Sequence, residues 1–352
     1  MRTSASLAEQ PPAAAWSIDQ ATADEALAIL RGATRVLVPT HQNVDADALA
    51  SAIALCVALE SVGVEAVPVI SDGHLPHSLT FLPFLDRVLV YGRDDMPAFD
   101  VLCLADSSDR RRLGGLQTDH PDWFDGSIPI VNIDHHVTND RFGVINIVFP
   151  EAASTSEIIA ELIRAWGVPL NQPIAQCLLA GIYGDTLGLR TSATTARTMR
   201  TAADLVDAGA NPEPIVDGLF RVKPRSSVCL WEHALREVEW TGSVIWTELT
   251  DRMFASCGAV PSEAEGLVNF LLGTEGSLVA AILFANESGW RVSLRSLPPD
   301  VDVAAIASEF GGGGHPRAAG CTIVGGEEDK RRFLERVAAR ATEMHDPAAW
   351  GA

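Results

Sequence analysis

The chain has no C-x-x-C pair, no long uninterrupted apolar run and no excess of positive charge. Each absence removes a class of protein. The six cysteines, Cys56, Cys103, Cys177, Cys229, Cys257 and Cys321, are scattered, most of them in apolar stretches. A buried free thiol is the expectation for such residues. Neither a zinc knuckle nor a disulfide framework is expected, and the compartment reads as reducing. Without a long apolar run there is no candidate transmembrane helix. Residues 1–16 are rich in Ala, Ser and Pro but lack a basic start followed by an apolar core. They read as a loose tail rather than a signal peptide. A cytoplasmic protein with no membrane partner is expected. Lys and Arg number 26 against 46 Asp and Glu, a formal charge of −20. That excludes a protein that coats long or duplex nucleic acid through a basic face. It leaves room for a short anionic substrate, because bound divalent cations can reverse the local sign.

What is present is a regular alternation. With 352 residues and 47% apolar content, the chain suggests two domains, each with a full core. Strands are expected at 35–40 (RVLVPT), 65–70, 88–91, 100–105 (DVLCLA), 128–133 (IPIVNI) and 144–148. Helices are expected at 46–61, 155–166 and 173–183, with Ser154 or Thr155 as N-cap of the second. This predicts an α/β fold with a doubly wound parallel sheet. Further helices follow at 195–208 and 213–220, broken by Gly209-Ala210-Asn211-Pro212. The reading divides the chain into a flexible tail over 1–18, a first domain over 19–215 and a smaller α/β domain over 216–345. In the second domain a strand at 243–249, a helix at 262–272 and a hairpin of 278–285 with 290–295 are expected. A helix at 301–310, a glycine run at 311–314, a strand at 321–324 and a helix at 327–344 complete it.

Candidate chemistry gathers where apolar elements end. His41, Asp45 and Asp47 follow the first strand; residues two apart in extended chain point the same way, so the two carboxylates can converge. A His with two Asp suits a cation of intermediate hardness such as Mn²⁺. Helix capping by Asp45 or Asp47 explains the same residues as well. Asp106-Ser107-Ser108-Asp109 follows DVLCLA, again with capping as the alternative, and Arg110-Arg111-Arg112 next to it is either a solvated face or a phosphate contact. Asp134-His135-His136 closes the strand at 128–133, where open α/β sheets bind ligands. Adjacent histidines point apart, so one can ligate metal while the other reaches phosphate, and a neighbouring carboxylate fixes a ligand's tautomer. Asp185, in Gly184-Asp185-Thr186, ends an apolar helix and opposes its dipole, which a bound cation would compensate. His41, Asp45, Asp47, Asp106, His135 and Asp185 together could hold two metals with one bridging carboxylate. Two divalent ions about 3.5–4 Å apart suit in-line displacement at phosphorus. In the second half, Trp231, Trp240, Trp246 and Trp290 could stack on bases, but core packing is the preferred reading.

In this order the residues resemble the motifs of the DHH phosphoesterases: His41-x-x-x-Asp45-x-Asp47, Asp106, Asp134-His135-His136 and Gly184-Asp185-Thr186. The run GGGGHPRAAG at 311–320 is similar to the glycine-rich signature of the DHH-associated C-terminal domain, and Ser293-Leu294-Arg295-Ser296 to the segment that precedes it. Length and motif set resemble the nano-RNase and pAp phosphatase branch. The family usually has Pro where this chain has Val44, and Gly where it has Ala50.

The resemblance implies one metal on His41, Asp45 and Asp106 and a second on Asp47, Asp106, His135 and Asp185. It implies His136 on the scissile phosphate, with Asp134 supporting the histidines. Arg295, Ser296, Gly312, Gly313, Gly314, His315 and Arg317 would engage a nucleotide from the second domain, across a cleft. The expected activity is hydrolysis of short oligoribonucleotides, pApA-type dinucleotides and 3′-phosphoadenosine 5′-phosphate, with Mn²⁺ as first choice and Mg²⁺ or Co²⁺ as alternatives. Competing readings are a pyrophosphatase or exopolyphosphatase, a RecJ-type single-strand exonuclease, and a nucleotide sensor with a dead centre. The sequence leaves a homodimer open.

Overall fold

A computed structural model describes residues 16–71, 73 and 75–346 of the chain. Most of the tail expected over 1–18 lies outside the described residues. Its last part is not loose. Trp16 is buried, stacked on Phe149 at 4.9 Å between centroids, with the Arg197 guanidinium 3.5 Å from its ring centroid. The chain forms two compact units, divided between Arg221 and Val222.

The first unit carries α1 (Gln20–Gly32), β1 (Val36–Pro39), α2 (Ala46–Ser61), β2 (Ala66–Ile70), β3 (Leu89–Val90) and β4 (Val101–Ala105). It continues with α3 (Gly115–Asp119), β5 (Ile130–Asp134), β6 (Ile145–Val148), α4 (Thr155–Ala165), α5 (Gln172–Asp185), α6 (Ala196–Asp207) and α7 (Pro212–Val216). The sheet is parallel throughout, in the order β3-β2-β1-β4-β5-β6. Side-chain alternation sorts its strands between two cores. Val36, Val38, Val101, Cys103, Val131 and Ile133 join the helices α1, α2, α4 and α5 on one face. Leu37, Val69, Leu102, Leu104 and Ile130 pack with Leu113, Leu116 and Phe124 on the other. Burial on both faces is why these strands read as continuous apolar runs. The first unit keeps α7 and a π-helical turn, Asp217–Arg221, beyond the expected boundary at 215. The cause is Ile215, fully buried in the larger core, and Leu219, packed against it.

The second unit contains α8 (Arg225–Arg236), β7 (Glu239–Thr241), β8 (Val244–Leu249), α9 (Asp251–Cys257), α10 (Leu267–Leu272), β9 (Val279–Asn286), β10 (Gly289–Ser296), α11 (Val303–Ser308), β11 (Gly313–His315), β12 (Ala318–Val324) and α12 (Glu327–Met344). Its sheet is mixed, in the order β11-β12-β10-β9-β8-β7, with β8 and β9 parallel. The single helix expected over 262–272 is interrupted, because Gly266 takes a left-handed φ of +89° after the 3₁₀ turn Pro261–Ala264. The glycine run at 311–314 ends in the edge strand β11, paired Gly313 to Gly320 and His315 to Ala318. Gly312 and Gly314 are required by space. A Cβ at Gly312 would stand 2.2 Å from the Gly320 carbonyl oxygen, and one at Gly314 (φ +142°) 2.5 Å from that of Ala318.

The expectation of no disulfide is corrected here: Cys229 of α8 and Cys257 of α9 are bonded, with 5.6 Å between their Cα atoms. The pair is remote in sequence, so no short spacing announces it. Cys56, Cys103, Cys177 and Cys321 are buried free thiols. Trp246 and Trp290 are buried, with the Lys330 ammonium over both rings, whereas Trp240 is exposed. Among the described residues no helix is long and apolar enough to cross a membrane.

Candidate metal centre

The parallel sheet of the first unit delivers its polar residues at one end. His41 lies just past β1 and Asp106 just past β4, while Asp134 ends β5 with His135 and His136 following. Asp45 caps α2 and Asp47 sits in its first turn; Asp185 is the last residue of α5. These are the carboxyl ends of the strands, the position at which open α/β sheets accept ligands.

Three groups of side chains close to within 4.8 Å between ligand atoms: His41, Asp45 and Asp106; Asp47, His135 and Asp185; and Asp106, His135 and His136. Asp106 belongs to two of them. Its Oδ2 is 3.4 Å from His41 Nε2 and its Oδ1 3.5 Å from His135 Nε2. His135 Nε2 is also 3.1 Å from Asp185 Oδ2. Asp106 reaches this position through a left-handed backbone, φ +64°. A non-glycine residue adopts that conformation when the surroundings enforce it, here at the turn out of β4. Asn43, Leu187 and Leu189, in the loops that carry Asp45 and follow Asp185, share the left-handed region.

The capping alternatives separate in the structure. Asp45 accepts the Ala48 N–H at 3.0 Å, so it caps α2 with Oδ1 and turns Oδ2 toward His41, 3.6 Å away. After β4 the cap is Asp109, which accepts from Arg111 N–H, and Asp106 is left to the centre. At α4 the cap is Ser154, accepting from Glu157 N–H at 3.1 Å. That frees the Thr155 hydroxyl to donate to Asp106 Oδ1 at 2.8 Å. The first two N–H groups of α4, Thr155 and Ser156, donate to the two oxygens of Asp47 at 2.7 and 3.0 Å. The positive end of a helix thus faces a carboxylate that is fully buried.

Close approach of α2 and α5 comes from glycines on α5. A Cβ at Gly184 would be 2.7 Å from Ala46 Cβ, and one at Gly181 would be 2.5 Å from Asp47 Oδ1. Ala50, where the related family usually has Gly, is fully buried within α2.

The triplet 134–136 is organised by Asp134. Its Oδ1 accepts the His135 and His136 N–H groups and His136 Nδ1 at 2.7 Å, and its Oδ2 accepts from Asn139 Nδ2 at 2.6 Å. With Nδ1 of His136 donating, Nε2 is its acceptor, and Arg112 Nη1 stands 3.2 Å from it. His41 is fixed similarly, Nδ1 donating to the Gln42 carbonyl at 2.7 Å. Its buried Nε2 then has no hydrogen-bond partner. A buried ring nitrogen aimed between two carboxylates, with its tautomer set from behind, could hold a cation.

The electrostatics agree. Burial opposes charge on His41, yet Asp45 and Asp106 outweigh it and push the imidazole up to about 10. Burial likewise opposes charge on His135, and Asp185 and Asp106 raise it well above the usual range. Burial, with Asp185 and Asp106 as like-charged neighbours, raises Asp47 well above the ordinary carboxylate range. Asp185 is raised first by burial, against the pull of His135. Asp106 is driven the other way: burial is outweighed by the imidazoles of His41, His136 and His135 around it. A divalent cation would neutralise carboxylates packed too closely to ionise together. The mixed imidazole and carboxylate donors could hold divalent cations.

In the second unit, Arg295 lies on β10 opposite Ala318 and is half-buried; burial lowers its guanidinium. Ser296 is buried, its hydroxyl toward the Pro316 carbonyl at 3.4 Å. Arg317 donates through Nε to the Ser296 carbonyl at 2.8 Å, tying the end of β10 to the turn before β12. Gly313, Gly314 and His315 are exposed on the edge strand. Sequence reasoning passed over Thr155 as anything but a cap, and Asn139 altogether. A hydroxyl beside a better N-cap is the one signal that could have marked Thr155.

Residues 35–182 match the family model described as DHH family, N-terminal domain, and residues 251–343 match the DHHA1 domain. The chain is 32% identical over 310 residues to the Thermus thermophilus protein named bifunctional oligoribonuclease and PAP phosphatase NrnA, covering 86% of this chain and 89% of that one. Its identity to the Bacillus subtilis protein of the same name is 27% over 305 residues, covering 84% and 91%. Among solved structures, an exopolyphosphatase-related protein from Bacteroides fragilis shares the fold, with a TM-score of 0.84 at 23% identity over 94% of this chain and 99% of that one. Motifs, site geometry and relatives coincide: the chain belongs to the DHH phosphoesterases, a family of hydrolases, in the branch that carries a DHHA1 domain and includes the bifunctional oligoribonucleases and PAP phosphatases.

Proposed function

We propose that the chain hydrolyses short oligoribonucleotides, pApA-type dinucleotides and 3′-phosphoadenosine 5′-phosphate, using two divalent ions, Mn²⁺ by preference. The observation that carries this reading is the run of overlapping His/Asp groups, joined through Asp106 and His135, on which two ions could sit side by side. His41, Asp45 and Asp106 would hold one ion; Asp47, Asp106, His135 and Asp185 would hold the other. When bound, such ions lower the pKa of water and neutralise phosphate oxygens. His136 and Arg112 would then bind the phosphoryl oxygens, with Asp134 keeping the His136 ring in register. The buried N–H groups of Thr155 and Ser156 hold Asp47 in one orientation, so that little reorganises during reaction. Nucleotide choice is assigned to Arg295 and His315 of the second unit, with the glycines before His315 allowing close backbone approach. The substrate class is supported by the activities named for the Thermus thermophilus and Bacillus subtilis relatives. The acidic chain favours short over long strands.

The test is the purified full chain with Mn²⁺, given pyrophosphate, pAp, pApA and RNA of increasing length. Release of mononucleotide from pApA and of phosphate from pAp, declining with RNA length, is expected. Hydrolysis of pyrophosphate alone, or a rate that grows with strand length, would sink the reading. Arg295→Ala and His315→Ala should lose activity on pApA with bound metal unchanged.

A further inference from the structure

We propose that Cys229, His233 and Cys257 form a second metal site, for a single thiophilic ion such as Zn²⁺, whose metal-free oxidised form is the Cys229–Cys257 disulfide. One sulfur or ring nitrogen from each residue lies within 4.8 Å of the others. All three residues are partly buried and lie in the second unit, so the site shares no ligand with the centre of the first. Cys229 and His233 are four apart on α8, one turn along the same face. Cys257 closes the group from the last position of α9.

Two thiolates and an imidazole are soft-to-borderline donors, a set that selects Zn²⁺ over Mn²⁺ or Mg²⁺. Tetrahedral bonds of about 2.3 Å to sulfur and about 2.0–2.1 Å to nitrogen place such ligand atoms under about 4 Å apart. The observed spacing needs only the sulfurs to part and the His233 ring to turn in. Three protein ligands leave a fourth position for water.

The fold gives the link a purpose. Helix α9 is seven residues long and has no fully buried residue, whereas α8 buries Ser227, Leu230 and Ala234. Cys257 therefore fastens a weakly anchored helix to a well-anchored one. A disulfide does so under oxidising conditions, and a metal bridge does so where thiols stay reduced. The two forms differ by two electrons and two protons. A dithiol reductant supplies both, leaving as its own disulfide; the metal ion then displaces the two thiol protons as the thiolates bind.

The probe is Co²⁺ added to the full chain with and without prior reduction, reading the thiolate-to-cobalt charge-transfer absorbance. Oxygen and nitrogen ligands do not give this band, and the four other cysteines are buried free thiols, so the Cys229→Ser variant isolates the contribution of this site. The expected result is a saturable band in the reduced chain, bleached by Zn²⁺ and absent from the oxidised chain. Cys229→Ser should abolish it, and His233→Ala should weaken Co²⁺ binding at least tenfold. No band in the reduced wild-type chain would overturn the proposal. So would a band that survives Cys229→Ser, or His233→Ala binding Co²⁺ as tightly as wild type.

Discussion

Arg112 Nη1 lies 3.2 Å from His136 Nε2, and His136 is held from behind by Asp134 at 2.7 Å. Arg112 is the last of three consecutive arginines; Arg110 and Arg111 are exposed, whereas Arg112 is half-buried. Arg112→Ala should lower turnover on phosphate esters by about 10²-fold, the scale of losing one donor to a developing oxyanion. Metal content should not change. Arg112→Lys should recover part of the rate, since charge returns without the planar fork. A rate equal to wild type in Arg112→Ala would return the arginine run to the solvated face.

Asp106→Ala removes a carboxylate common to two of the His/Asp groups. It should abolish hydrolysis and lower the number of bound ions measured after dialysis. Thr155→Val keeps the shape of its neighbour but removes the 2.8 Å hydrogen bond to Asp106. Its loss should fall in the roughly 10–100-fold range typical of groups that orient a ligand. Thr155→Ser should retain most activity. If Thr155→Val matched wild type in both metal affinity and rate, the orienting role would be wrong.

Gly181 is a packing requirement of the centre. An added Cβ would meet Ser156 Oγ at 2.0 Å and Asp47 Oδ1 at 2.5 Å. Gly181→Ala should destabilise the first unit by about 1–3 kcal/mol and weaken metal binding together, because the strain falls on Asp47. Gly32, at the end of α1, has open space around it and is the control. Urea midpoints of the two variants check this; equal midpoints would refute it.

Metal uptake should release protons. His41 is raised to about 10, so at neutral pH the metal-free imidazole carries a proton that a cation must displace. Asp47, Asp185 and His135 are also raised, and each further proton they hold at lower pH competes with the ion. Affinity should therefore fall as pH falls, and proton release should diminish as pH approaches 10. Calorimetric titration with Mn²⁺ in buffers of different ionisation enthalpy measures the count. Heats that do not depend on the buffer would contradict it.

Much of this site is legible in the chain because each polar residue follows an apolar run of its own. The DVLCLA strand, buried on both faces, could end only in a turn at the sheet edge, and Asp106 is there. Helix α2 starts where the sequence says because Asp45 caps it. The misreadings have physical causes. A helix from 262 to 272 fails at Gly266, where periodicity carries no information about a left-handed φ. Free cysteines were expected because Cys229 and Cys257 lie 28 residues apart, a distance only the packing of α8 on α9 closes.

By itself the sequence determined the alternation of strands and helices in the first unit, its parallel sheet and the inventory of histidines and carboxylates, since these depend on local periodicity and on residue type. Tertiary structure decided which of them meet. Only the stacking of α2, α4 and α5 brings the N–H groups of Thr155 and Ser156 onto Asp47, more than a hundred residues earlier in the chain. Only the left-handed turn at Asp106 carries its carboxylate between His41 and His135. Hydrogen bonds and ion ligation depend on separations of a few ångströms, and such separations are set by packing between distant segments, about which a local pattern is silent.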